Sequence, residues 1–289
     1  MVRTVKNTAT MTKQSIGRVE DAANDLTTAS LSTKTATTDF EYSYDKTLGG
    51  IRITGYTGAS KSVAIPKKID GKEVVACAIV RHGLKSLNVE KAIHLRVLNC
   101  RYNDLAELDV SKNAKLERLE CHVNDLAELD VSENVNLVYL DCSSNSLTDL
   151  DVSNNAKLEL LHCAVNGLTE LDVSNNAKLA HLYCSGCNLE KLNISKNAKL
   201  ENLECSCNNL AELDVSENVN LVYLDCSGNK IDKLNISENA ELEYLDCSRN
   251  MITALDVSKN PELWLICCRD LKLAELDLSM NKKVEAIYL

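Results

Sequence analysis

Thirteen cysteines and five histidines in 289 residues are the first places to look for chemistry, because thiolates and imidazoles supply many protein nucleophiles and metal ligands. Nine of the cysteines, Cys100, Cys121, Cys142, Cys163, Cys184, Cys205, Cys226, Cys247 and Cys268, recur at one fixed interval. On neighbouring strands such a column stands about 4.8 Å apart. That lies inside the Cα range of a disulfide, but side chains of an in-register parallel sheet point the same way and not at each other. Nor can a straight row surround one zinc ion with four ligands. The column therefore reads as free thiols serving as small core hydrophobes, with no metal and no cofactor expected. Cys77, Cys187, Cys207 and Cys267 fall outside it; of these, Cys207 and Cys267 take outward slots and are the candidate reactive thiols. The histidines lack HExxH spacing, the serines lack GxSxG, and neither GxxxxGK nor GxGxxG occurs. No catalytic residue is assigned.

A second set of side chains flanks the leucine two positions ahead of each column cysteine. Just before it stand Arg118, Tyr139, Leu160, His181, Asn202, Tyr223, Tyr244 and Leu265; just after it stand Glu120, Asp141, His162, Tyr183, Glu204, Asp225 and Asp246. Alternation on a strand turns these outward when the leucine turns inward, so they are expected to be exposed. Tyrosine offers a rigid amphipathic contact and a carboxylate accepts from sugar hydroxyls or from Lys and Arg. The ligand-binding candidates are Tyr139, Asp141, His162, His181, Tyr183, Glu204, Tyr223, Asp225, Tyr244 and Asp246.

The element that positions them is a 21-residue repeat. Leu98, Leu119, Leu140, Leu161, Leu182, Leu203, Leu224, Leu245 and Ile266 follow one another without insertion, each opening the pattern LxCxxNxLxxLDVSxNxxLxx. A fixed period in this range marks a solenoid. The Asn column from Asn103 to Asn250, broken by Cys187 and followed by Leu271, is expected to turn its amides inward onto turn backbone. A second column, Ser111 with Asn113 through Ser279 with Asn281, is expected to cap the opposite turn by local bonds. Residues 77–97 read as a degenerate copy, with Ile79 in the cysteine slot.

The spacing of LERLECHVNDL, from Leu116 to Leu126, matches the leucine-rich repeat segment LxxLxLxxN/CxL with Cys replacing one core Leu. Residues 77–289 thereby resemble the cysteine-containing 21-residue repeats of internalin J-like bacterial proteins. Ahead of them, IRITGYTGASKSVAIPKKIDGKEVVACA resembles the opening unit of BspA-like surface proteins, with Pro66 suited to a strand edge. The expected fold is mainly β, within the α/β-class leucine-rich repeats. It is a right-handed parallel β solenoid, curved or rod-like, with extended LDVS segments opposite the main sheet and little helix. Three parts follow: a flexible Ser/Thr-rich segment over 1–38, a β-hairpin cap over 39–76 and the solenoid over 77–289. A short amphipathic helix through Ile16, Val19, Ala23 and Leu26 fits the first part.

Charge narrows the partners. The net charge is −10, with 11 Lys/Arg against 8 Asp/Glu up to residue 76 and 21 against 34 beyond it. An acidic array repels nucleic acid, and no apolar run reaches the 18 residues a membrane span needs. The resemblance implies a secreted or cell-surface, adhesin-like binding module holding a protein or glycan on its concave face. An intracellular interaction scaffold and the non-catalytic part of a larger enzyme are the alternatives. MVRTVKNTATMTKQ has charges without an apolar core behind them, so a leader removed from this chain or a cytoplasmic location is expected. Ile287 and Leu289 fill the first inward slots of a tenth strand, and end-to-end self-association through an open C-terminus is expected.

Overall fold

The structure, a computed structural model, describes residues 33–34 and 39–289. The helix expected through Ile16–Leu26 and most of the Ser/Thr-rich segment lie outside the described residues. Among those described there is no helix, and the chain winds as a β solenoid of about 11 turns.

Each repeat contributes a three-residue strand, beginning with Val97–Asn99, Arg118–Glu120 and Tyr139–Asp141 and ending with Leu265–Cys267 and Ala286–Tyr288. Neighbours pair parallel with a register of one repeat: Leu98 opposes Leu119, Leu119 opposes Leu140, and so on to Ile266 opposite Ile287. The sequence period thus becomes a set of straight columns. Leu98, Cys100, Leu105, Val110 and Leu116, with their equivalents through Leu263, are fully buried. Each such leucine contributes about 1.5–3 kcal/mol of apolar burial, and solenoid stability is the sum of these coils and their contacts with neighbours. The LDVS segments lie opposite, as expected, but only Glu170–Asp172 with Lys191–Asn193, and Ser62–Ala64 with Ser86–Asn88, form ladders there.

Polar columns fasten coil to coil. Asn124 Nδ2 donates to the carbonyls of Cys121 at 2.9 Å and of Cys100 in the preceding coil at 3.1 Å, while its Oδ1 accepts from the Leu105 amide at 3.1 Å. The same triple contact recurs at Asn145, Asn166, Asn208, Asn229 and Asn250. In the Asn slot of the fifth repeat the Cys187 thiol reaches only the Cys163 carbonyl, at 3.1 Å, with a long 3.8 Å contact to that of Ser185.

The second Asn column departs from expectation, because its bonds are not local. Asn134 Nδ2 donates to Val110 and Asn113 of the preceding coil, both at 3.0 Å. The local cap is made instead by the residue before the valine: Asp130 Oδ1 accepts the Ser132 amide at 2.9 Å. An aspartate or asparagine side chain mimicking a turn in this way needs no distant partner, which frees the buried amide to bridge coils.

The cap begins with an antiparallel hairpin, Phe40–Asp45 against Gly50–Tyr56. Gly50–Tyr56 then pairs parallel with Lys72–Ala78, and that strand pairs parallel with Val97–Asn99. Residues 50–76 therefore wind as a coil in their own right, longer than the repeats, with Ile53 opposite Cys77 opposite Leu98. Ile51, Ile53, Val63, Ile65, Val74 and Val75 are all buried. Pro66 falls between Ser62–Ala64 and Lys68–Ile69, in no strand.

Candidate functional site

The in-register ladder lines up the residues on either side of each core leucine into two parallel rows on the outer surface of the main sheet. Arg118, Tyr139, Leu160, His181, Asn202, Tyr223, Tyr244 and Leu265 make one row, and Glu120 through Cys267 the other. The expectation of exposure is corrected here. His181 is 3% exposed, and Glu120, Asp141 and Asn202 are buried as well. At strand spacing of about 4.8 Å, tyrosine, imidazole and guanidinium groups pack face or edge against one another and cover the shorter side chains between them.

The N-terminal half of the face is a connected network. The Arg118 guanidinium lies 3.5 Å from the Tyr139 ring centroid, and its Nε donates to Glu120 Oε1 at 2.8 Å. Arg101 Nη1 reaches Glu120 Oε2 at 3.3 Å. Asp141 sits between two imidazoles, His122 Nδ1 at 2.9 Å and His162 Nδ1 at 3.7 Å. The first is an ion-pair distance without an aligned N–H bond. The Ser143 hydroxyl donates to Asp141 Oδ1 at 2.7 Å. Burial works to raise the Asp141 pKa, but the histidines and Ser143 outweigh it and hold the carboxyl below its ordinary value. Burial lowers His162 and His181. Tyr183 meets His162 edge-on at 5.4 Å and stacks with His181 at 6.5 Å.

Although serine, histidine and aspartate meet here, they do not form a catalytic relay. A serine nucleophile must hand its proton to an imidazole, and the Ser143 hydroxyl is bonded to the carboxylate instead. Among the described residues no three His, Cys, Asp or Glu side chains are grouped to hold a metal ion. The ladder thiols are free, and burial pushes Cys100 up to about 12, so they are inert. Cys207 is exposed and Cys267 half-buried.

The C-terminal half is built differently. Tyr223 and Tyr244 stack face to face, centroids 4.2 Å apart and planes 5° apart. Burial raises both phenols. Glu204, Asp225 and Asp246 stand on three successive strands beside them. Ser227 donates to Asp225 at 2.7 Å, and the Ser248 amide to Asp246 at 2.9 Å. Burial and the neighbouring Asp225 charge raise the Glu204 carboxyl.

The candidates thus separate into two clusters. Tyr139, Asp141, His162, His181 and Tyr183 join the network, while Glu204, Tyr223, Asp225, Tyr244 and Asp246 form the tyrosine and acid strip. Sequence reasoning missed Arg101, His122 and Ser143, two residues beyond the outward acid position. The signal was available: outward alternation with period two continues past the three-residue strand.

Neither a protein-family model nor a curated relative matches the chain. Among solved structures, the functional domain of InlJ from Listeria monocytogenes, which includes a cysteine ladder, is similar at 40% identity and a TM-score of 0.71, over 72% of this chain and 47% of that one. YopM from Yersinia enterocolitica WA-314 is similar at 28% identity and 0.60, over 74% of this chain and 50% of that one. The chain spans about half the length of both. An internalin, inlF, from Listeria monocytogenes shares the fold at 15% identity and a TM-score of 0.61, over 81% of this chain and 86% of that one.

Proposed function

This chain is a bacterial-type leucine-rich repeat protein with an InlJ-like cysteine ladder, and on that footing we propose that it is a non-enzymatic binding module whose outer strand face holds a protein or glycan. The observation that carries the reading is the Tyr223–Tyr244 stack beside Glu204, Asp225 and Asp246. Packing inside the solenoid does not require that arrangement, since these side chains lie on the far side of the sheet from the leucine core. Aromatic rings with carboxylates between them, on a rigid ladder, are what a recognition surface needs: contact area with little side-chain entropy left to lose.

Replacing Tyr223→Ala together with Tyr244→Ala is expected to weaken ligand binding at least tenfold, about 1.4 kcal/mol. The fold should be retained, with the melting temperature lowered only by the loss of the ring–ring contact. Unchanged affinity of this double variant for a captured ligand would move the site to the turn side or the cap.

By likeness to an internalin, the module belongs outside the cell, at the surface or secreted. An intracellular scaffold is the second reading, supported by thirteen free cysteines, a state that a reducing compartment maintains. Labelling of intact cells with an impermeant thiol reagent separates the two, with exposed Cys207 as the reporter.

A further inference from the structure

The two carboxylates in the outward row of the N-terminal half have cationic or imidazole partners. Glu120 holds Arg118 and Arg101, and Asp141 lies between His122 and His162. From Glu204 onward the pattern stops. Glu204, Asp225 and Asp246 make no ion pair with any described residue, although each is partly shielded from water. Three partly desolvated carboxylates on successive strands repel one another, and a cation brought by a partner would relieve them.

Resting on the reading of the strand face as the binding surface, we propose that its C-terminal half receives an α-helical protein segment that presents one Arg or Lys per turn to Glu204, Asp225 and Asp246. The spacing favours the helix. Three carboxylates on adjacent strands span about 9.6 Å at 4.8 Å per step. A helix laid along the row places side chains i and i+7 about 10.5 Å apart at 1.5 Å per residue, within the reach of flexible basic side chains. An extended peptide repeats its same-side residues every 6.8 Å or so, and three of them overrun the row by roughly 4 Å.

The tyrosines argue in the same direction. A sugar stacks on a bare ring face, but Tyr223 and Tyr244 cover each other at 4.2 Å, and the register places Asn202 and Leu265 on the outer sides of the pair. What the stack offers outward is ring edge and hydroxyl. Those suit the apolar stem and charged tip of a basic side chain.

The test uses two helix-stapled, fluorescently labelled peptides of equal composition. In one, arginines at i, i+4, i+7 and i+11 form a stripe; in the other they are scattered around the helix. The striped peptide is expected to bind at least tenfold more tightly, to weaken with added salt, and to lose at least tenfold on an Asp225→Asn, Asp246→Asn variant. That variant should melt no lower than the parent, because it removes repulsion and keeps the serine contacts. Equal affinity for the two peptides, or no loss in the variant, overturns the helix inference. A glycan array probed with the parent and the Tyr223→Ala, Tyr244→Ala variant tells the two failures apart. Sugar capture lost in the tyrosine variant, without preference for the striped peptide, keeps the strand face as the site and overturns only the helix. Capture of neither peptide nor sugar overturns both.

Discussion

Val123 and Val165 adopt left-handed backbones, φ 54° and 57°, a conformation that costs an L-residue about 1–2 kcal/mol. They belong to a column. Tyr102, Ser144, Gly186, Cys207, Gly228, Arg249 and Asp270 hold the same slot, one per coil, with φ between 52° and 66°. Glycine occupies only two of these positions, so the turn is imposed by the solenoid and tolerated by the residue. Val165 is 60% exposed and has little packing to lose. Glycine gives back about 0.5–1 kcal/mol through its freer unfolded chain, so Val165→Gly is expected to stabilise the protein by roughly 0.5–1 kcal/mol. A denaturation midpoint that stays put or drops would show that the valine contributes contacts outweighing its strain. The sequence concealed this column because Tyr, Val, Ser, Cys, Arg and Asp share no side-chain property; what they share is a dihedral angle.

At the scale of one coil, neighbouring core positions differ in what they contribute. Leu182→Ala opens a cavity in a fully buried column and should cost about 2–5 kcal/mol, whereas Cys184→Ala removes a single sulfur and should cost less. Equal melting shifts would contradict the inward assignment of both. The turn aspartates define an acid limit. Serine amides and hydroxyls hold Asp109, Asp130, Asp151 and Asp214 below their ordinary 3.8. A depressed folded pKa contributes stability that is present above the unfolded value and lost as pH falls through the folded one. The aspartates' contribution should therefore be level down to about pH 4 and fall below it, beneath an earlier decline that starts near 6.5 from the buried His162 and His181, and replacing these four aspartates with asparagine should flatten only the fall below about pH 4. An identical decline in that variant would assign acid sensitivity to other groups. Inward columns and the strand face were legible at this scale because a strict period with inward Leu and Cys leaves only one register. The direction of the Asn134 amide was not. An asparagine beside a turn can bond locally or across coils, and the Asp130 cap that decides between them is itself only two residues from the serine it holds.

Across the whole molecule each coil touches only its neighbours, so stability is approximately a chain of nearest-neighbour terms. Weakening the middle with Leu182→Ala is expected to broaden the denaturant transition as well as shift it, since the two halves then unfold separately. A single sharp transition with unchanged slope would show that coupling passes through the damaged coil. The polarity of the face, paired charges in one half and unpaired acids in the other, was not legible before the register was known, because contacts such as Arg118 on Tyr139 join residues one full coil apart. The backward-reaching asparagines carry a further consequence for how the array is made. Each coil leaves an amide and a carbonyl to be satisfied by the asparagine of the next: Asn124 answers Leu105 and Cys100. On the ribosome, at about 5–20 residues per second, that asparagine arrives roughly 1–4 s later. The newest coil is always the unfinished one, and the solenoid is sealed from its first coil forward, each addition locking its predecessor.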